Sequence, residues 1–367
     1  MRSDLIYQIA LTLVPQIGTV QAKILLQHCE AEEIFHAKKS FLEKIEGIGP
    51  VRAAAIKSFQ DFHLAEEEIS CMEKNGIHAV FLSDKSYPKR LLNCYDSPTL
   101  LYMKGDADLN ASRMIALIGT RSNSEYGRLQ TEKIVEALAA AKVTIVSGLA
   151  YGIDAIAHKA AVKNGLPTIG VLAHGLDQVY PPQHSALARE MVQQGGALLS
   201  EFRCGEKPDK HNFPTRNRIV AGMTDATIVL ETGIKGGSII TAELANGYNK
   251  DVFAIPGKNT DPKSAGCNEL IKMNKAVLLT DPEQLIEMMG WADETAKKEK
   301  RTQRTLFIEM SPDEKVIAEL LSEKDQLHID EINLRSGLSS SAVAGALLNL
   351  ELQSVVLSLP GKQYRLA

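Results

Sequence analysis

Short, mostly apolar runs of four or five residues alternate along the middle of the chain with longer stretches patterned at helical spacing. The runs are Met114–Ile118, Val143–Val146, Thr168–Leu172, Ala197–Ser200, Ala226–Leu230, Val252–Ile255 and Ala276–Leu279. Strands this short between helices of ten or more residues predict a parallel sheet with helices on both faces. Ahead of it, Leu5, Ile6, Ile9 and Leu13 recur at helical spacing, and residues 1–65 read as helical throughout. A smaller α/β piece follows, with a helix over Leu64–Asn75 ending at Gly76 and a strand over Ile77–Leu82. After the sheet, Trp291 to Arg304 has no apolar period and carries a lysine- and arginine-rich run, which predicts a solvated, mobile tether. The last residues predict helices at Pro312–Leu321, Ile329–Ser336 and Ser340–Glu351, then strands at Val355–Leu357 and Gln363–Leu366 around Pro360-Gly361. Three helices and a terminal hairpin make a winged helix.

Composition narrows the class without naming a ligand. At 367 residues, 44% hydrophobic and 23% charged, the chain is that of a folded protein of two or three domains. Its net charge of −4 means that any nucleic-acid binding must come from a local basic patch. Cys29, Cys71, Cys94, Cys204 and Cys267 form no CxxC pair, so neither a zinc ribbon nor a disulfide framework is expected, and buried reduced thiols are. With no basic leader and no apolar run of spanning length, the expected location is cytoplasmic, with no membrane contact.

The chemistry concentrates at strand ends, where ligands of parallel sheets sit. Gly119-Thr120-Arg121 follows the first main strand and Ser147-Gly148 opens a Gly-rich loop after the second. Ala173-His-Gly-Leu-Asp177 follows the third, and Glu231–Thr241, with Gly237, Ser238 and Thr241, follows Ala226–Leu230. Glycine lets a backbone approach an anion closely, and hydroxyls and helix-start amides donate to it. The segment Lys210-His-Asn-Phe213-Pro-Thr-Arg216-Asn217-Arg218 adds guanidinium forks, which match phosphates, and an aromatic face, which stacks on any base. Together these predict an extended anionic ligand of single-stranded nucleic-acid type. Two N-terminal turns, Ile17-Gly-Thr and Ile48-Gly-Pro, each precede an amphipathic helix; they fit either DNA-contacting helix-hairpin-helix elements or ligand-free helical hairpins.

Other chemistries fit less well. No GxGxxG follows the first strand, the second ends in Ser147-Gly148 rather than an acid, and no Walker A loop occurs, so no nucleotide cofactor is expected. Asp154 and His158 share a helix face but find no third metal ligand, and are read as loop braces. Ser147 lacks the GxSxG elbow of a nucleophile. The third helix of the winged-helix segment has no Lys or Arg from Ser340 to Leu352, which predicts a protein-binding role or a degraded reader over sequence-specific duplex binding.

The motifs Ile118-Gly-Thr-Arg121, Ser147–His158, Gly175-Leu-Asp-Gln-Val-Tyr-Pro181, Leu199-Ser-Glu201, Phe213–Gly222, Gly237–Ala242 and Ile255-Pro-Gly257, in this order, resemble the DNA-processing protein A (Smf) family. His174 and His184 depart from its usual residues in the third loop. The resemblance implies α/β fold class: a Rossmann-like, doubly wound, mostly parallel sheet, with an N-terminal helical (helix-hairpin-helix, SAM-like) domain and a C-terminal winged helix. The expected domains are 1–65, 66–290, a linker at 291–305, and 306–367. It further implies a non-enzymatic, sequence-independent binder of single-stranded DNA that dimerises through its Rossmann-like domain. Such a protein protects incoming DNA in natural transformation and loads the RecA recombinase. Arg121 and Lys210 match the family's DNA-contacting cations and Phe213 its stacking ring, with Arg216 and Arg218 assigned to the DNA backbone. The alternative is a nucleotide-cleaving enzyme of phosphoribohydrolase type on a related sheet. Gly236-Gly237 and Glu243 fit its PGGxGTxxE loop, but Ile239-Ile240 replaces the Gly-Thr that approaches a phosphate.

Overall fold

The computed structural model describes residues 2–291, 310–324, 326–353, 355–359 and 362–366. The predicted basic linker, apart from Trp291, and the Pro360-Gly361 turn lie outside them. Residues 1–289 form one compact unit and 290–367 a second.

In the first unit the described residues form a nine-stranded sheet. Its strands are β1 (His78–Phe81), β2 (Leu100–Gly105), β3 (Met114–Ile118), β4 (Thr144–Ser147), β5 (Thr168–Val171), β6 (Ala197–Ser200), β7 (Ala226–Val229), β8 (Asp251–Ala254) and β9 (Val277–Leu278). The order is β1-β2-β6-β5-β4-β3-β7-β8-β9. Seven strands, β3 to β9, are parallel; β1 and β2 add an antiparallel edge beyond β6. Every residue of β3, β4, β5, β6 and β7 is buried, because helices cover both faces. The chain walks outward from β3 to β6, crosses back through the helix Asn212–Gly222, and resumes at β7 on the other side of β3. That reversal is a topological switch point, and it carries the start of the returning helix to the carboxyl-end rim.

The N-terminal helices (Arg2–Leu13, Thr19–Leu26, Ala31–His36, Lys39–Leu42, Gly49–Ser58) bury Ile9, Leu25, Ile34, Leu42 and Ile56 completely. Arg52 ties the two glycine turns together, donating to Gln16 O at 3.3 Å and Gly47 O at 2.9 Å. The next helix spans Phe62–Asn75, across the expected boundary at residue 65, and packs on the first helix. Its Ile69 and Met72 share one apolar cluster with Leu198 and Tyr102 of the sheet, so the helices and the sheet form a continuous core. All five cysteines are free, but only Cys94 and Cys267 are buried; Cys29, Cys71 and Cys204 sit partly exposed at edges of the packing, which corrects the expectation for those three.

The second unit is the winged helix: Pro312–Ser322, Ile329–Ser336 and Ser340–Leu352, with an antiparallel sheet of Leu327–His328, Gln363–Leu366 and Val356–Leu359. Ser311 and Glu314 form a reciprocal capping box at the first helix, and the Ser339 hydroxyl accepts from Ala342 N at the third. Ile317, Ile332, Val343, Leu350 and Val356 are wholly buried and close its core.

Candidate nucleic-acid interface

Loops after β3, β4 and β5 and the start of the returning helix border an open hollow, with Arg121, Gly148, Leu172, Phe213 and Arg216 among its lining. Each wall is held by contacts that the chain makes with itself.

Arg121 stands on a turn pinned by Glu231, at the end of β7. Glu231 accepts Thr120 N–H on its backbone carbonyl at 2.7 Å and Ser124 N–H on its carboxylate at 2.7 Å. Ser124 then caps the helix Glu125–Ala139 by accepting from Gly127 N. The guanidinium of Arg121 is exposed, lies 4.9 Å from the centroid of the Phe213 ring, and makes no hydrogen bond or ion pair among the described residues. A cation over an aromatic face at this distance is attractive, and both groups stay reachable from solvent. Lys210, three residues before Phe213, is exposed and likewise unpaired among the described residues.

Arg216 is different. Its side chain is buried and its Nη1 donates to Gly148 O at 2.6 Å and to Val171 O, while Nε donates to Asn217 Oδ1 at 3.1 Å. Burial pulls its pKa down to about 10, with Asp154 favouring the charge and Arg121 opposing it. A Cβ on Gly148 would come within 2.3 Å of that guanidinium, so only glycine lets the second loop close over it. At Gly152, whose φ is +77°, a Cβ would come within 2.2 Å of Thr120 O. Asp154, its carboxyl pushed up by burial, accepts from Ala150 N at 3.3 Å.

Several expected contacts therefore need correction. Arg216 supports the floor of the hollow: Nη1 and Nε are spent on Gly148 O, Val171 O and Asn217 Oδ1, which leaves only Nη2 of its fork for a ligand there. Asn217 accepts from Arg216 and belongs to the same support. Arg218 pairs with Glu201, and both side chains are about nine-tenths buried, which neutralises the charge expected for a backbone contact. The Ser147 hydroxyl is wholly buried and donates to Leu117 O at 2.6 Å. The Ser238 hydroxyl donates to Thr232 Oγ1 at 2.7 Å and Thr241 is buried, so neither faces the hollow; Gly237 is exposed where the helix Gly237–Gly247 starts. Gly119 is packed against Ile153, and the Thr120 amide is already bonded. Arg121, Gly148 and Phe213 are brought together around one opening. Sequence reasoning passes over Glu231 in its role as the pin of the Arg121 turn; its charge at a strand end beside a glycine is the available signal.

Of the two expected loop braces, Asp154 holds the loop through Ala150 N, whereas His158 ties its helix to β5 and β4 instead. The Thr168 hydroxyl donates to Ile145 O at 2.9 Å, so His158 Nδ1–H donates to Thr168 Oγ1 at 2.7 Å. Complete burial pulls its pKa down to about 3. The unfolded chain then binds the proton that the folded one refuses, so this histidine costs stability as pH falls from about 6.5 toward 3, by up to ~1.4 kcal/mol per pH unit. Thermal melts of His158→Asn should therefore show a smaller fall between pH 7 and pH 5 than the parent does. No group of metal-binding side chains occurs among the described residues, and none of their helices is long and apolar enough to cross a membrane.

A doubly wound sheet with a cationic, aromatic-edged opening at its switch point, in a chain that ends in a winged helix, defines a Rossmann-like protein of the DNA-processing class. Residues 78–290 match the model of the DNA recombination-mediator protein A family, and 298–362 match the DprA winged helix domain. The chain belongs to the DNA recombination-mediator protein A family, a family of mediators rather than enzymes. It is 35% identical to protein Smf of Escherichia coli K12, over 82% of this chain and 80% of that one. It is 41% identical to the DNA processing protein DprA of Streptococcus pneumoniae R6, over 67% and 86%. The X-ray structure of DprA from Streptococcus pneumoniae superposes with a TM-score of 0.66 at 33% identity, over 77% of this chain and 97% of that one. The structure of DNA processing protein A from Helicobacter pylori, which concerns its single-stranded DNA binding mode, gives 0.53 at 31%, over 59% and 97%.

Proposed function

We propose that this chain binds single-stranded DNA without regard to sequence along the carboxyl-end rim of its sheet. It protects the strand and passes it to the RecA recombinase in homologous recombination, including natural transformation, and acts as a dimer through its Rossmann-like domain. The observation that carries this reading is the Arg121 guanidinium seated over the Phe213 ring at the mouth of the hollow. Phosphate needs a cation and an unpaired base needs a flat face; here both stand at one opening, with Lys210 close by in the chain. Membership of a recombination-mediator family, and a solved relative with a single-stranded DNA binding mode, support the same ligand.

The test is fluorescence anisotropy with labelled oligo-dT against duplex of equal length. Single strands should bind more tightly. Phe213→Ala should cost about 1–3 kcal/mol, the usual worth of one base stack. Adding the protein to RecA should shorten the lag of filament assembly on the same strand. Equal affinity for duplex would overturn the ligand assignment, and an unchanged lag would remove the handover.

A further inference from the structure

Two exposed tyrosines share the hollow with Arg121 and Phe213, and the pairing of that cation with that ring leaves both without a role. Tyr151, on the loop after β4, is 43% exposed, and Tyr180, on the loop after β5, is 44% exposed; both line the opening. A single exposed ring needs no explanation, but two at one opening beside a third form a patch.

Each ring is braced by a buried histidine. His184, 8% exposed, donates Nδ1–H to Leu149 O at 2.9 Å and meets the Tyr151 ring edge-on with centroids 5.2 Å apart. The Tyr151 hydroxyl donates to Gln183 Oε1 at 2.8 Å, which fixes the ring at its far end. His174, 1% exposed, donates Nδ1–H to Gly175 O at 2.9 Å. Its Nε2 accepts the Tyr180 N–H at 3.2 Å, and the two rings stand at 87° with centroids 6.4 Å apart. Burial lowers the His174 pKa, which keeps Nε2 free to accept. His174 is therefore a single tautomer locked by the backbone at both ring nitrogens, and His184 is held in place by Leu149 O. These are the two histidines that set the third loop apart.

We infer that Tyr151 and Tyr180 form a second stacking platform at the same opening as Phe213, so that the hollow seats bases of the bound strand and not its phosphates alone. The inference rests on the single-stranded DNA reading and names what that site recognises: flat rings, any of the four. Using the platform costs less entropy because the Tyr151 ring is held at both ends, and Tyr180 rests edge-on against His174. A tyrosine face has no preference among bases, in keeping with sequence-independent binding. The Tyr151 hydroxyl is already spent on Gln183, so its ring carries the interaction.

The experiment compares the parent, Tyr151→Ala, Tyr180→Ala and the corresponding phenylalanine variants of the full chain. Labelled oligo-dT is titrated across a salt series, and strands carrying 2-aminopurine report stacking by loss of fluorescence. Each alanine variant should bind roughly 5- to 150-fold more weakly, with the slope of log K against log salt unchanged, because every phosphate stays neutralised as before. The phenylalanine variants should keep parental affinity and 2-aminopurine quenching. Parental affinity in both alanine variants, or a flattened salt slope, would overturn the platform while leaving DNA binding intact. Failure of the parent itself to bind oligo-dT would instead overturn the reading on which it rests. A drop in melting temperature shared by the phenylalanine variants would show that the tyrosines serve the fold alone.

Discussion

Arg216→Ala is expected to lower folding stability by about 3–5 kcal/mol, the cost of breaking a buried charged network by removing one partner. The substitution would leave Gly148 O and Val171 O without their donor and Asp154 without the cation beside it. It would also open a cavity where Gly148 now lies against the guanidinium. At roughly 2–4 °C per kcal/mol for a domain of this size, the melting temperature should fall by ~6–20 °C. Arg216→Lys should recover little, because one ammonium cannot reproduce a planar fork aimed at several acceptors. Differential scanning calorimetry decides it. If Arg216→Ala melted with the parent and gave up only DNA affinity, Arg216 would be a contact residue after all, and the hollow's floor would need another support.

Arg121→Glu is expected to do the reverse: leave the fold alone and remove binding. Arg121 has no hydrogen bond to give up among the described residues, and an exposed change of this kind usually stays within ~0.5 kcal/mol of parental stability. Against a polyanion, however, the new carboxylate puts like charge where opposite charge stood. That juxtaposition costs several kcal/mol, so affinity for oligo-dT at moderate salt should fall by roughly two orders of magnitude. The cation–π contact with Phe213 goes as well. The log K against log salt slope should flatten by about 0.7, because one phosphate fewer is neutralised. Arg121→Lys, which keeps the charge and gives up the fork, should fall between. Oligo-dT binding equal to the parent's would place the strand elsewhere on the molecule.

Two arginines that look alike in sequence thus have opposite roles in the fold. Arg121, Arg216 and Arg218 all stand in glycine- or phenylalanine-containing segments near strand ends, and nothing local distinguishes them. Helical spacing puts Phe213 and Arg216 on one side of the helix Asn212–Gly222, but which arginine meets solvent depends on Gly148 and Val171, 68 and 45 residues away. Arg218 is silenced by Glu201, 17 residues back across the β6 end. The same applies to hydroxyls. Ser147 sits at the last position of β4 and turns inward to Leu117 O, so its place beside a glycine loop says nothing of where its oxygen goes.

The parallel strands β3 to β8 are legible to within a residue at each end, because a strand covered on both faces must be apolar along its whole length, whereas the antiparallel β2 (Leu100–Gly105) and the two-residue strand Leu327–His328 are not read from the sequence. The winged-helix elements are legible for a related reason: serines before apolar helical stretches cap helices wherever they occur. What the amino-acid sequence determined by itself was local, namely the elements, their order, and the glycine turns that mark strand ends. The tertiary structure alone decided which of the charges survive as charges at the opening. A cation's availability depends on whether a carbonyl or carboxylate from a distant segment reaches it first, and those distances are set by how the sheet reverses at β3 and β7, not by neighbours along the chain.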